Sequence, residues 1–128
     1  MVAGAVNLLV LEGDGIGPEI TAATLAVLRA AAQRFALTLA CEPATIGWAA
    51  HRAHGTTMPD AVFDKAKAAD GIILGPVSHN EYPPKAEGGL NPSGEMRRRL
   101  DLYANIRPAC SRPGFAPRCG VRVDLVVV

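Results

Sequence analysis

Aromatic residues are scarce in this sequence, which has one Trp, two Tyr and three Phe among 128 residues. Its core must therefore be built mainly from Ala, Val, Leu and Ile, as is common in α/β proteins. The overall composition, with 49% hydrophobic and 20% charged residues, is that of a soluble globular protein. The length suits a single domain with a substantial core.

A strong net charge is also absent, because 13 basic and 12 acidic residues leave a formal charge of +1. No global field is therefore expected to attract nucleic acid or an anionic membrane. No apolar run approaches the roughly 20 residues that span a bilayer, and residues 1–7 lack the basic start of a signal peptide. The sequence predicts neither a nucleic-acid partner nor a membrane partner, and it predicts a cytoplasmic location.

Cysteine is rare as well, and its three positions show no C-x-x-C spacing. This pattern argues against a disulfide framework or a zinc knuckle, so we interpret the three cysteines as reduced thiols. His51 and His54 form an H-x-x-H pair without a carboxylate or cysteine at a useful spacing. We interpret them as a surface pair and predict no metal ligand in this chain.

Apolar runs and helical spacing alternate along the chain, which predicts an α/β fold with a parallel or mixed sheet flanked by helices. Strands are predicted over residues 6–11, 38–46, 71–74, 103–109 and 121–128. Helices are predicted over residues 19–35, over a segment that opens at residues 57–60 and reaches 69, and over residues 94–102. The last strand reads VRVDLVVV, an apolar run that is typical of a strand with neighbours on both sides and a connection after it. We therefore expect a fold that is incomplete at its C-terminus, with an association-prone last strand.

Glycines are concentrated between the first strand and first helix, where residues 13–19 read GDGIGPE. Glycine permits close backbone approach to a ligand, and a helix N-terminus offers unpaired N–H groups. However, the spacing is G-x-G-x-G, whereas the dinucleotide fingerprint is G-x-G-x-x-G. This spacing fits two interpretations, a loop that binds a ligand and a tight turn without a ligand.

A run of three arginines at residues 97–99 is followed by Arg107, ten residues after Arg97. The planar fork of arginine binds carboxylates bidentately, so two arginines directed at one pocket suit a dicarboxylic acid. Arg97 and Asp101 would share a helix face, and the alternative interpretation of the cluster is a solvated basic face.

Between the third strand and this cluster, residues 75–94 contain four of the ten prolines and form a loop whose length is typical of a functional segment.

Two sequence segments, LEGDGIGPEI at 11–20 and GGLNPSGEMRRRLDLYANIRPA at 88–109, resemble the isopropylmalate/isocitrate dehydrogenase family of β-decarboxylating dehydrogenases. The segment LGPVS at 74–78 also fits, and the resemblance spans nearly the whole chain. It implies that residues 1–128 are the N-terminal portion of such a domain, truncated relative to the usual length.

The resemblance also implies site residues. The positions that match the substrate-binding segment are Arg97, Arg107, Asn91 and Ser93, with the two arginines holding the carboxylates of a malate moiety. Asn91 and Ser93 stand in the reverse of the isocitrate enzymes' order, which leaves the substrate acid open. The positions implied for the cofactor are Gly15, Ile16, Gly75, Ser78 and Leu90.

The activity implied is oxidative decarboxylation of a malate-type 2-hydroxy acid of the 3-isopropylmalate or isocitrate class. The family uses NAD or NADP with Mg or Mn, and its full-length members are homodimers. Its metal aspartates and its Tyr and Lys acid–base groups follow the matched segment, so the resemblance implies no catalytic residue here and an inactive isolated chain. The alternative is a non-catalytic remnant or an interaction domain that retains an anion-binding surface.

Overall fold

The strand β1, Val6–Leu11, is the middle strand of a three-stranded parallel sheet, in a computed structural model that describes residues 4–128. It pairs on one side with β2, Leu39–Ala44, and on the other with β3, Gly71–Leu74. The register aligns Leu8 of β1 with Cys41 and Gly71 of its two neighbours. The apolar character of β1 follows from this central place, because a strand between two others in a covered sheet is buried on both faces.

Parallel strands require crossover connections, and helices provide them. The helix α1, Gly17–Arg34, connects β1 to β2, and two helices, α2 (Gly47–His54) and α3 (Asp60–Ala68), lie between β2 and β3. The two crossovers run in opposite directions across β1. Since such crossovers are right-handed, α1 and α3 lie on opposite faces of the sheet.

The largest buried cluster lies on the α3 face of the sheet. It joins Leu9 and Leu11 of β1 to Val62, Phe63 and Ala66 of α3. A fourth helix, α4 (Pro92–Arg99), adds Met96 to the same cluster. Burying these side chains fixes α4 against the sheet, so that the remaining faces of α4 carry its polar residues outward.

The last two strands form a separate antiparallel ribbon. In it β4, Arg107–Cys110, pairs with β5, Asp124–Val127, and Arg107 lies opposite Val127. Every residue of both strands is exposed. The α/β prediction is confirmed, with the parallel and antiparallel pairings in two different sheets.

Several predicted boundaries differ from the structure. No helix was predicted over α2, since it is short and its N-cap residue, Ile46, provides no side-chain cap. The helix predicted from residue 94 begins at Pro92, because Asn91 caps it by accepting from the Gly94 N–H at 3.2 Å. The strand predicted from residue 103 begins at Arg107.

The prediction that Arg97 and Asp101 share a helix face is wrong. The helix α4 ends at Arg99, and Asp101 has a φ of 50°, in the left-handed region. This turn takes Asp101 off the helix, so the i,i+4 relation no longer brings the two side chains together.

Candidate functional site

The carboxyl ends of β1 and β3 lie side by side and lead to opposite faces of the sheet. The turn at residues 12–16 leads from β1 to α1, while the loop at 75–91 leads from β3 to α4. In open α/β sheets, ligands bind in the crevice at such a point, where the connections diverge. Four of the five residues that the resemblance implies for a cofactor lie in these two connections: Gly15, Ile16, Gly75 and Ser78.

Asp14 joins the two connections that follow β1 and β3. Its side chain is buried, at 9% exposure, and its Oδ1 accepts from the backbone N–H of Trp48 at 2.8 Å. Its Oδ2 accepts from the backbone N–H of Ser78 at 3.0 Å and from the hydroxyl of Tyr82. One carboxylate thus joins the β1 turn, the start of α2 and the loop after β3, and it supplies the cap that α2 lacks locally.

The three glycines of the GDGIG turn have different roles. A Cβ on Gly13 would lie well inside van der Waals contact with the backbone oxygen of Pro76, and one on Gly17 would meet the backbone oxygen of Glu12. Gly15 has a φ of 57° and no heavy atom within 4 Å of an added Cβ. Gly13 and Gly17 therefore serve backbone packing within the protein, and only Gly15 leaves space that a ligand could enter.

Thr57 holds the far end of the loop that begins at Gly75. Its hydroxyl donates to the backbone oxygen of Leu90 at 2.6 Å and accepts from the Leu90 N–H at 2.8 Å. The Thr57 N–H donates to the Gly88 oxygen at 3.0 Å, and the Leu90 side chain packs against the core cluster. The long loop is therefore tied to the protein at Asp14 and again at Thr57.

Burial raises the pKa of the Tyr82 hydroxyl above its ordinary value, and the hydrogen bond to Asp14 and the charge of that carboxylate raise it further. The Tyr82 ring also packs edge-on against Trp48, with ring centroids 5.4 Å apart. A phenolate beside the Asp14 carboxylate is disfavoured, so Tyr82 holds its proton as a donor to Asp14.

The raised pKa predicts that the Tyr82 hydroxyl loses its proton at a higher pH than a free tyrosine does. In a Tyr103→Phe chain, Tyr82 is the only remaining tyrosine, and its phenolate absorbance should rise only above pH 10, the approximate range of a free tyrosine. In urea the same chain should titrate near 10. A folded-state midpoint equal to the unfolded one would contradict the buried hydrogen bond. Because the folded pKa is the higher one, Tyr82 stabilises the fold fully below about pH 10 and progressively less above it.

The arginine cluster divides into paired and unpaired members. Arg98 forms an ion pair with Glu95, one turn earlier on α4. Arg99 pairs with Asp60 at 2.8 Å and lies over the Phe63 ring, 3.9 Å from its centroid. Within residues 4–128, neither Arg97 nor Arg107 forms an ion pair.

Arg97 and Arg107 contact neutral side chains instead. The Arg97 Nη2 donates to the Ser93 hydroxyl at 2.5 Å. With its amide oxygen turned toward Arg107, Asn105 accepts from Nη2 at 3.2 Å and from Nε at 3.1 Å. A neutral acceptor orients a guanidinium without cancelling its charge, so both arginines keep a positive charge that can bind an anion.

Ser93, Arg97 and Asn105 line one cavity of about 260 Å³ between α4 and the segment before β4. The rest of its lining is apolar and includes Ile72, Leu74, Met96, Leu100, Leu102 and Ile106. Thus a cationic and hydrogen-bonding rim adjoins an apolar wall, a combination that suits an acid with an apolar substituent.

The implied site residues therefore fall into separate groups. Ser93 and Arg97 come together on α4, and Arg107 is linked to their cavity through Asn105. The Asn91 side chain caps α4. Sequence reasoning missed the roles of Asp14, Tyr82 and Asn105, although the Asn105 position two residues before Arg107 was a usable signal.

The histidines and acidic residues form no metal centre in the described part of the chain. Among residues 4–128, no three His, Cys, Asp or Glu side chains cluster in a way that could hold a metal ion. His51 Nε2 donates to the Glu87 backbone oxygen at 2.8 Å, and the His51 ring packs edge-on against Trp48. None of the helices over the same residues is both long and apolar enough to cross a membrane.

Comparison with known proteins gives one consistent result. A family model described as isocitrate/isopropylmalate dehydrogenase matches residues 7–128. The 3-isopropylmalate dehydrogenase of Nitratidesulfovibrio vulgaris is 39% identical over 124 residues, and that of Methylococcus capsulatus is 37% identical over 126. These alignments cover 93% and 94% of this chain and 34% of each relative.

Solved structures agree with the sequence relatives. A crystal structure of isocitrate dehydrogenase from Methylococcus capsulatus matches with a TM-score of 0.76 at 31% identity, covering 94% of this chain and 33% of that one. The TT0538 protein from Thermus thermophilus matches with a TM-score of 0.75 at 30% identity, covering 98% of this chain and 24% of that one. This chain therefore spans about a third of the length of the curated relatives it matches.

Proposed function

The chain belongs to the isocitrate/isopropylmalate dehydrogenase family, and on this premise we propose that it provides the carboxylate-binding arginines for NAD(P)-dependent oxidative decarboxylation of a malate-type acid. The observation that carries the proposal is the division of the arginines. Arg98 and Arg99 are engaged in ion pairs, whereas Arg97 and Arg107, the two that match the family's motif, contact only neutral side chains.

The proposed role of the two arginines is orientation and charge neutralisation. Each can bind a carboxylate through two parallel N–H donors, which fixes the acid in one pose and offsets its negative charge. Tyr82 is not proposed as a general base, because its raised pKa and its bond to Asp14 keep it protonated near neutral pH. The chain's part in the reaction is therefore binding rather than proton transfer.

The connections that follow β1 and β3 are the part of the chain that we propose contributes to binding a nicotinamide dinucleotide. The residues that the resemblance implies for this role are Gly15, Ile16, Gly75, Ser78 and Leu90. Gly15 supports the proposal because it leaves open space at the start of α1. A Cβ on Gly75 would meet the backbone oxygen of Glu12, so Gly75 packs against protein backbone as Gly13 does. When bound, NAD or NADP supplies the acceptor for the hydride of the 2-hydroxyl. Residues 4–128 offer no ligand set for Mg or Mn, so the role proposed for this chain includes no metal-dependent step. The cytoplasmic location and the homodimer of the whole protein are parts of the same proposal.

The acid itself is proposed to be of the 3-isopropylmalate class. The cavity beside Arg97 is lined mainly by apolar side chains, and burying a carboxymethyl group there would cost more than burying an isopropyl group. The polar Ser93 hydroxyl does not oppose this assignment, because it is engaged by Arg97.

Titration of this chain with 3-isopropylmalate and with isocitrate tests the proposal. We expect 3-isopropylmalate to bind more tightly, and Arg97→Ala and Arg107→Ala each to weaken it by roughly 10- to 100-fold, the range for a lost charge-assisted hydrogen bond. Calorimetry at fixed salt gives the dissociation constants.

Arg112→Ala is the matched control, since it removes one exposed positive charge from the end of the same ribbon. It should leave the affinity nearly unchanged. An equal loss in this control would show general charge attraction rather than a site. If neither acid binds the unsubstituted chain, the site proposal fails, and a non-catalytic interaction domain becomes the better description.

A further inference from the structure

The segment between α4 and β4 carries one side chain that links Arg107 to the Arg97 cavity. Asn105 is exposed, lies two residues before Arg107, and lines the same cavity as Ser93 and Arg97. With its amide oxygen turned toward Arg107, the orientation that satisfies both groups, it accepts from Nε and Nη2 at 3.1 and 3.2 Å. Within residues 4–128, no other side chain both lines the Arg97 cavity and forms a hydrogen bond with the Arg107 guanidinium.

The contact uses one defined edge of the guanidinium. Nε and Nη2 form its side edge, and occupation of that edge leaves the Nη1/Nη2 end edge for a carboxylate. Arg107 begins β4 and is exposed, so its long side chain otherwise samples many rotamers. Holding the side edge fixes the plane of the guanidinium before any acid binds, which lowers the entropy lost on binding.

The chemistry of the acceptor matters equally. An aspartate at this position would accept the same two hydrogen bonds but would neutralise Arg107 and repel an incoming carboxylate. An amide orients Arg107 and preserves its charge.

We propose that Asn105 is a positioning residue that holds Arg107 in the orientation for binding the malate-type acid and couples it to the Arg97 cavity. This inference rests on the proposed function for its ligand. The contact between Asn105 and Arg107 itself is independent of any ligand, and it can be measured separately.

The first measurement is hydrogen exchange of the Arg107 Nε–H group with water, followed by ¹⁵N NMR and assigned from the signal that Arg107→Lys removes. In Asn105→Ala the Nε–H should exchange several-fold faster than in the unsubstituted chain, whereas Asn105→Asp should keep it protected. Equal exchange rates in the alanine variant and the unsubstituted chain would overturn the proposal.

The second measurement is binding of 3-isopropylmalate to the same variants. Asn105→Ala should bind roughly tenfold more weakly, as expected when a charged group loses its alignment, and Asn105→Asp should bind more weakly still despite its protected Nε–H. Asn80→Ala, which removes another exposed asparagine, should bind normally. Thermal melting of Asn105→Ala should be unchanged, since the side chain is exposed. Normal binding by Asn105→Asp would overturn the charge argument.

The two measurements separate this inference from the function on which it rests. Absence of acid binding to the unsubstituted chain would refute the proposed function, while the exchange rates would still decide whether Asn105 holds Arg107. Normal acid binding with unprotected Nε–H in every variant would refute the role of Asn105 and leave the proposed function intact.

Discussion

Replacing Asp14 by alanine should lower the free energy of unfolding by about 3–5 kcal/mol, a large part of the roughly 5–15 kcal/mol typical of a small domain. The carboxylate accepts from the Trp48 N–H, the Ser78 N–H and the Tyr82 hydroxyl, and alanine leaves all three donors without their acceptor. Each partly buried donor that loses its partner costs about 1–3 kcal/mol, reduced where water can enter. Urea denaturation followed by circular dichroism measures the loss.

Two further variants show whether the network is the cause. Asp64→Ala removes an exposed acid from α3 and should unfold at nearly the same urea concentration as the unsubstituted chain. Asp14→Asn keeps one acceptor oxygen and should fall between the two. Equal unfolding midpoints for Asp14→Ala and Asp64→Ala would contradict the idea that Asp14 joins the β1 turn, α2 and the loop after β3.

The second large effect is expected at Gly13, for which the chain provides its own control. Both Gly13 and Gly15 have a positive φ, at 76° and 57°, so alanine at either position carries a conformational cost of about 1 kcal/mol. Only at Gly13 would the new Cβ also collide with backbone, at the oxygen of Pro76. That oxygen accepts from the Asp14 N–H at 2.8 Å, so moving it also breaks a hydrogen bond.

We therefore expect Gly15→Ala to lose about 1 kcal/mol of stability and Gly13→Ala to lose about 3 kcal/mol or more. The difference between the two variants isolates the close backbone approach, because the conformational cost is common to both. Chemical denaturation of both chains under identical conditions gives the comparison. Equal losses would mean that the turn relaxes without strain and that Pro76 is not held against it.

The elements that sequence reasoning located correctly are those with local causes. The strands β1 and β3 have the predicted boundaries because a short apolar run between turn residues is sufficient to define a buried strand. The helix α1 has Pro18 and Glu19 in its first turn, as the sequence predicts, and α3 buries the apolar residues Val62, Phe63 and Ala66 on one face. Membership of the family was likewise predictable, because the motifs that carry it are contiguous in the sequence.

The helix α2 shows why other elements were missed. Its N-terminal cap comes from Asp14, 34 residues earlier in the chain, so no capping signal exists near residue 47. The same holds for Tyr82, whose hydroxyl finds its partner 68 residues away. An interaction at that separation depends on the packing of β1 beside β3, which no local pattern describes.

The arginines show which properties follow from the sequence and which depend on the tertiary structure. The residue types, the ten-residue spacing of Arg97 and Arg107, and the resemblance to the family are properties of the sequence alone. Which arginines keep their charge available was decided by the tertiary structure, because Asp60 of α3 lies beside Arg99 and the segment before β4 brings Asn105 to Arg107.

The sequence by itself thus determined the family, the α/β arrangement and the candidate residues, since short-range propensities and contiguous motifs are sufficient for each. Only the tertiary structure decided that Asp14 joins three segments, that Gly13 packs against backbone while Gly15 stays open, and that Arg98 and Arg99 form ion pairs while Arg97 and Arg107 do not. The physical reason is that hydrogen bonds, ion pairs and close contacts depend on distances between side chains, and those distances are set by the packing of segments remote in the chain.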